Sequence, residues 1–240
     1  MRAAPPPWAR RVNAHSVITS RRSSALRSLG AFANTFAAES FIDEIAHARG
    51  LNPLELRRAH LQHDLRALAV LDAAAARAGY TGSHASTAGE GVGHGIAVAR
   101  YKGAGAWCAV VARVHAGERL RVQRLTIAVD VGIAVNPDGV INQIEGGAIQ
   151  ATSWVLKERV RFDRQRITST TWGSYPILRF SEVPDVQVEL IQRPDSEPLG
   201  AGEAAHGPVT AAIGNAVFDA LGVRVRDLPI TRDKIGRAHV

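Results

Sequence analysis

The chain has 240 residues, 46% of them hydrophobic, with a formal net charge of +7, a single cysteine and no apolar run long enough to span a membrane. That is enough to bury the core of one large domain or two small ones, and the lone Cys108 excludes an internal disulfide and any cysteine-built zinc or iron–sulfur site within the chain. Five of the positive charges, Arg2, Arg10, Arg11, Arg21 and Arg22, stand in residues 1–24 without one acid, so the basicity is a tail property; it is not interleaved with aromatic residues and does not support nucleic-acid binding.

Residues 1–24 alternate Pro, Arg, Ser and small residues without a sustained period, which predicts a disordered basic tail. They lack the apolar stretch of a secretory signal, which leaves the cytoplasm as the default compartment and the periplasm open. From Phe36 the pattern turns helical: Ala37, Phe41, Ile45 and Ala48 recur at three- and four-residue steps, and Gly50 stands where a C-terminal cap belongs. Asn52-Pro53-Leu54-Glu55 combines a capping Asn, a Pro at the first helical position and an acid in the first turn, and so starts a second, short helix. Asp64 opens a third over Leu65 to Ala78, stopped by Gly79.

Thr81 to Gly93 holds four glycines and breaks the helical pattern. Beyond it, Gly95 to Ala99, Ala106 to Val114 and Leu120 to Val129 are rich in Val, Ile and Ala and read as successive antiparallel strands, with Cys108 buried in the second. Asn136-Pro137-Asp138-Gly139 leads into a helix from Val140 to about Lys157, in which Gly146-Gly147 implies close packing. Val160 to Phe162 and Ile167 to Thr171 suggest a hairpin, Val186 to Ile191 another strand, and Pro208 to Leu221 a last helix ended by Gly222. The fold class is therefore α+β: a basic tail (1–24), a helical region (25–80), a mixed, largely antiparallel sheet with covering helices (81–235) and a short tail (236–240).

Few groups offer chemistry. Glu203 lies in the small-residue loop Gly200-Ala201-Gly202-Glu203 just ahead of a helix, where it reads as an ordinary cap or loop acid or as an acid exposed to a bulky ligand, the cap being the commoner use. Gln143, Gly146, Gly147 and Gln150 share a helix face that suits either helix packing or ligand contact, packing being the commoner use. The pairs His60 with His63 and His84 with His94 have no carboxylate or cysteine at zinc spacing. Gly89-Glu90-Gly91-Val92-Gly93 precedes a strand and lacks a P-loop lysine, so it reads as a linker. Ser40, Ser153 and Ser174 sit in no nucleophile elbow.

Five segments taken in order carry more than any one of them: Arg27-Ser28-Leu29-Gly30-Ala31-Phe32 with its continuation to Glu44, Asn52 to Arg57, Ala128 to Pro137, Gln143 to Gly147, and the Glu203 loop. Together they resemble the molybdopterin-binding subunits of the xanthine dehydrogenase and aldehyde oxidase family, most nearly its isoquinoline oxidoreductase branch, over residues 25–231. The resemblance implies a molybdenum–pyranopterin cofactor in the cytosine dinucleotide form. Glu203 would be the catalytic base on the molybdenum-bound hydroxyl, with Arg27, Gly30, Ala31 and Gly202 beside the cofactor and no protein ligand to the metal. It further implies oxidation of N-heteroaromatic or aldehyde substrates with a water-derived oxygen, and a small iron–sulfur subunit that takes the electrons.

Two departures are visible. Many relatives have proline soon after the catalytic acid, where this chain has Ala204-Ala205-His206-Gly207-Pro208. The Gly-Gln-Gly and Gly-Gly-Gly-Phe-Gly-type cofactor loops of such subunits are absent, which makes the chain a C-terminal fragment whose cradle is completed by missing upstream sequence; the alternative is a truncated, non-catalytic remnant or assembly partner that binds no cofactor alone.

Overall fold

A computed structural model of the chain describes residues 25–82 and 91–237. The basic tail, the His84 half of one histidine pair, Gly89-Glu90 and residues 238–240 lie outside the described residues. The element order is α1 (Leu29–Arg49), α2 (Pro53–His60), α3 (Leu65–Ala78), β1 (Val92–Arg100), β2 (Trp107–Ala116), β3 (Leu120–Asp130), α4 (Pro137–Leu156), β4 (Asp185–Leu190), α5 (His206–Leu221) and α6 (Arg232–Arg237).

The helix boundaries follow local chemistry. The Asn52 side chain accepts from the amides of Leu54 and Glu55 at 2.9 and 3.1 Å, Asp64 accepts from Ala67 at 3.0 Å, and Gly50 and Gly79 close α1 and α3 in the left-handed region. Helix α1 begins at Leu29, seven residues before Phe36. Its first two turns lie on α5 through small groups, the Ala31 carbonyl and Thr35 facing Gly207, and such contacts leave no large apolar stripe to read.

The sheet has the order β1-β2-β3-β4, antiparallel except for β4, which runs parallel to β3. Alternate residues of each central strand point to opposite layers. Ala97, Cys108, Val110, Ala112, Leu125 and Ile127 pack against α4 and α5. Ile96, Val98, Trp107, Ala109, Val111 and Ala128 pack against α2 and α3. Burial on both faces explains why the strands read as continuous apolar runs instead of alternating ones. The hairpin expected over Val160–Phe162 and Ile167–Thr171 is reduced to a single bridge, Phe162 with Ile167. All but one of residues 160–171 are exposed, so a ladder there would bury no second row of side chains. At the other end, α6 carries helix through Gly236 into what the sequence pattern assigns to a tail.

Strand β1 is an edge strand, and side chains supply its outer hydrogen bonds. Asp219 accepts from the His94 amide at 2.8 Å, Asn215 donates to the Ile96 carbonyl at 3.0 Å, and Glu39 accepts from the Val98 amide at 3.1 Å. Glu39 in turn receives Arg57, 2% exposed, at 2.8 Å, and Asp43 receives Arg224 at 2.7 Å. This buried polar network ties α1, α2, β1 and α5 together. On the face of β1, Gly93 and Gly95 let α5 approach backbone to backbone: a Cβ on Gly95 would fall closer than 3.0 Å to the main chain of Ala212, Asn215 and Ala216.

Accordingly, Gly95→Ala is expected to destabilise the fold by about 2 kcal/mol or more, read as a lower urea midpoint. Gly146→Ala, at an exposed helical position where a Cβ meets nothing within 4 Å, is expected to stabilise it by about 1 kcal/mol. Equal effects at the two positions would contradict the packing of α5 on β1.

Candidate active site

Strand β1 and helix α5 run in opposite senses, Gly93 facing Ala216 and Ala220 while Gly95 faces Ala212 and Ala216. The end of β1 therefore meets the start of α5, where the Glu203 loop enters the helix. Three further elements converge there: the residues before α1, the turn after β1, and the Gln143–Gln150 face of α4.

Glu203 is half-buried, and each carboxylate oxygen has a donor. The Ser28 amide donates to Oε1 at 2.7 Å and the Tyr101 hydroxyl to Oε2 at 2.5 Å. Ser28 is aimed by an unusual turn: Ser28 and Leu29 both hold positive φ, 73° and 49°, a conformation that costs non-glycine residues energy and is kept only when surrounding contacts fix it. The Ser28 hydroxyl also donates to the Glu203 carbonyl at 3.3 Å, and Ser28 is fully buried. Tyr101 foremost, then the Ser28 amide, hold the Glu203 carboxyl below the ordinary glutamate range, with Lys102 adding positive potential. The group is an anion at neutral pH.

Arg27 forms the second half of the site. Its Nε donates to the Gly202 carbonyl at 2.5 Å, and its Nη groups to the amide oxygens of Gln143 and Gln150 at 3.0 and 3.4 Å. Arginine only donates, so both glutamine oxygens must face it, and the two NH2 groups have no partner among the described residues. Gln150 Oε1 also lies 3.0 Å from His206 Nε2, which places a proton on that nitrogen. The His206 ring packs on Gly147, where a Cβ would stand 3.0 Å from Cε1, and 5.3 Å from the Trp154 ring. Burial, reinforced by Arg27, pushes the His206 pKa down to about 4, so the ring is neutral at pH 7.

Of the residues singled out in sequence, Arg27 bonds directly to Gly202, the residue before Glu203. Gly30 and Ala31 do not reach Glu203: Gly30 is exposed in the first turn of α1, and the Ala31 carbonyl faces Gly207 instead. The Gln143–Gln150 stripe makes internal contacts, Gly147 packing under His206 while the glutamines hold Arg27. Ser28, Tyr101 and His206 are not legible in sequence as site residues. Only the glycines after Tyr101 hint at a turn, and nothing local to His206 announces a buried ring.

A shallow groove of about 370 Å³ opens beside Gln143 and Gly202, walled by Ala134, Val135 and Leu199. Its loop is shaped by Asp130, which is fully buried. Burial alone would raise that carboxyl, but hydrogen bonds from Arg66, the Gly132 amide and Arg193 hold it below its usual value. With Gln143 and Gly202 on its wall, and Arg27, Gln150 and the Glu203 anion joined to them, the residues fit a large polar ligand carrying many acceptors.

The sequence profile of the molybdopterin cofactor-binding domain matches residues 29–184. The chain is 44% identical to a nicotinate dehydrogenase subunit of Pseudomonas putida over 90% of its length, and 35% identical to the beta chain of isoquinoline 1-oxidoreductase of Brevundimonas diminuta over 89%. It spans only 19% and 28% of those proteins. In fold it is similar to the aldehyde oxidoreductase of Desulfovibrio gigas, with a TM-score of 0.68 at 16% identity, over 89% of this chain and 41% of that one.

The neutral His206 has a measurable consequence. The folded state refuses a proton that the unfolded chain accepts below about pH 6.5, so stability is expected to fall as pH drops from about 6.5 to about 4. Urea midpoints across that window should fall less steeply in His206→Gln; an unchanged slope would mean that His206 is not buried neutral.

Proposed function

From the premise that this chain belongs to the molybdopterin cofactor-binding family, in the molybdenum-binding subunits related to xanthine dehydrogenase, we propose that it is part of a molybdenum hydroxylase with Glu203 as the catalytic base. The observation that carries the reading is the Glu203 carboxylate, ionised and half-exposed, fixed by two donors next to the Arg27 and glutamine cluster.

When bound, the pyranopterin cofactor supplies the redox centre and the activated, water-derived oxygen. The chain supplies the rest. The NH2 groups of Gln143 and Gln150 offer hydrogen bonds to its acceptors, Arg27 keeps both amides turned that way, and Gly202 leaves room for a bulky group beside the loop. Glu203 takes up a proton at a carboxylate oxygen as the oxygen nucleophile forms, and its lowered pKa keeps that oxygen unprotonated at neutral pH. The substrate is an N-heteroaromatic compound or an aldehyde, and the names of the nicotinate and isoquinoline enzymes favour the ring. A small iron–sulfur subunit takes the electrons, since this chain has one cysteine and it is buried. Further polypeptide completes the cofactor cradle, the cofactor carries the cytosine dinucleotide, and the enzyme works in the cytoplasm. Among the described residues no helix is long and apolar enough to cross a membrane.

The test is assembly with the complementary sequence and an iron–sulfur subunit. Glu203→Gln is expected to lower turnover of nicotinate-like rings roughly 10²- to 10⁴-fold while molybdenum content, measured by elemental analysis, stays at the wild-type level. Normal turnover in that variant would refute the base assignment. An assembled complex without molybdenum would instead favour a non-catalytic remnant.

A further inference from the structure

The turn between β1 and β2 is built around one side chain. The Tyr101 amide donates to the Ala106 carbonyl at 2.9 Å, and the Tyr101 carbonyl accepts from the amides of Ala104 and Gly105 at 3.2 and 2.8 Å. Lys102 and Gly103 turn the chain at φ 50° and 67°. A Cβ on Gly105 would press within 3.1 Å of the Tyr101 carbonyl and 3.2 Å of the ring carbon Cδ1, so a side chain there would push the turn or the ring by a few tenths of an ångström. Both polar atoms of the Tyr101 main chain are therefore tied, and the ring is delivered with its hydroxyl 2.5 Å from Glu203 Oε2. The other donor to the carboxylate is a main-chain amide, fixed by the Ser28 turn. Tyr101 is the side chain on which the orientation of Glu203 depends.

We propose that Tyr101 is a positioning residue for Glu203: its hydroxyl pins one carboxylate oxygen and so orients the other. This rests on the reading of Glu203 as the base, but the contact itself can be measured without turnover. The charged and titratable groups that face Glu203 are Tyr101 and Lys102 from the turn and His206 from α5, beside the Ser28 amide. The coupling is reciprocal. Burial foremost, and then the Glu203 carboxylate, push the Tyr101 hydroxyl up to about 12.

Carboxyl ¹³C NMR of the full chain labelled at glutamate, with Glu203 assigned as the signal missing from Glu203→Gln, tests the contact. In Tyr101→Phe the Glu203 titration midpoint is expected to move up towards the ordinary glutamate value. Gly105→Ala, which crowds the ring and keeps the hydroxyl, is expected to move it the same way by a smaller amount. Ultraviolet titration of phenolate should show Tyr101 ionising at lower pH in Glu203→Gln. A Glu203 midpoint unmoved by Tyr101→Phe overturns the proposal. In the assembled enzyme, Tyr101→Phe is expected to lower kcat about tenfold or more with KM within about twofold, and to shift the acid limb of the kcat profile upward with the NMR midpoint; an unshifted limb and unchanged kcat also overturn it. If Glu203→Gln turned over normally while Tyr101→Phe still moved the midpoint, the base assignment would fall and the positioning contact would stand.

Discussion

Everything at the site depends on how closely α5 lies along β1. Two glycines on the strand face remove the side chains that would hold the helix off, and Asn215 and Asp219 on the helix bond to the strand's outer backbone groups. Contact through main chain leaves no slack for a one-residue slip, because a slip would drive a Cβ into a backbone and leave buried polar groups unpaired. Since the two elements run in opposite senses, this lock also sets the distance between the end of β1 and the start of α5. Tyr101 and Glu203 are the residues at those two ends. The same helix accepts α1 through Gly207, which brings Ser28 to the other carboxylate oxygen.

The electrostatics follow from that convergence. Four cationic or donor groups crowd one carboxylate, and the site avoids excess positive charge by keeping His206 neutral through burial. Arg27 spends its donors on two main-chain carbonyls and two amide oxygens. That leaves Glu203 free of a direct arginine pair, which would have made it a poorer proton acceptor. The cluster is thus arranged around one anion that is stabilised by hydrogen bonds more than by a salt bridge.

How much of this the sequence discloses varies with the range of the interaction. Caps such as Asn52 and Asp64, and stops such as Gly50, Gly79 and Gly222, act within four residues and are legible. The α+β class is legible too, because the strand runs from Gly95 to Val129 keep their apolar character. The start of α1 is not, since Ala31 and Thr35 pack through small groups that leave no periodic stripe. The apolar residues at 160–171 suggest a hairpin where they mark a surface and not a buried face. Glu203 stands out only through its ordered neighbours in the family resemblance. Tyr101 and His206 are silent, because their meaning lies in partners roughly 50 to 100 residues away, at Glu203 and Gln150. Gly146 and Gly147 look identical in sequence, and only the presence of the His206 ring over one of them tells them apart.

The polar side chains along the outer margin of β1 have a further effect, on the rate at which its backbone protons are lost. An amide at the edge of a sheet ordinarily faces water and exchanges readily, whereas those of His94 and Val98 are covered by Asp219 and Glu39. Their exchange with deuterium is then limited by detachment of α5 and α1 from the strand, not by fraying of the strand itself. Two amides thereby become clocks for the opening of the helices that follow Glu203 and Ser28.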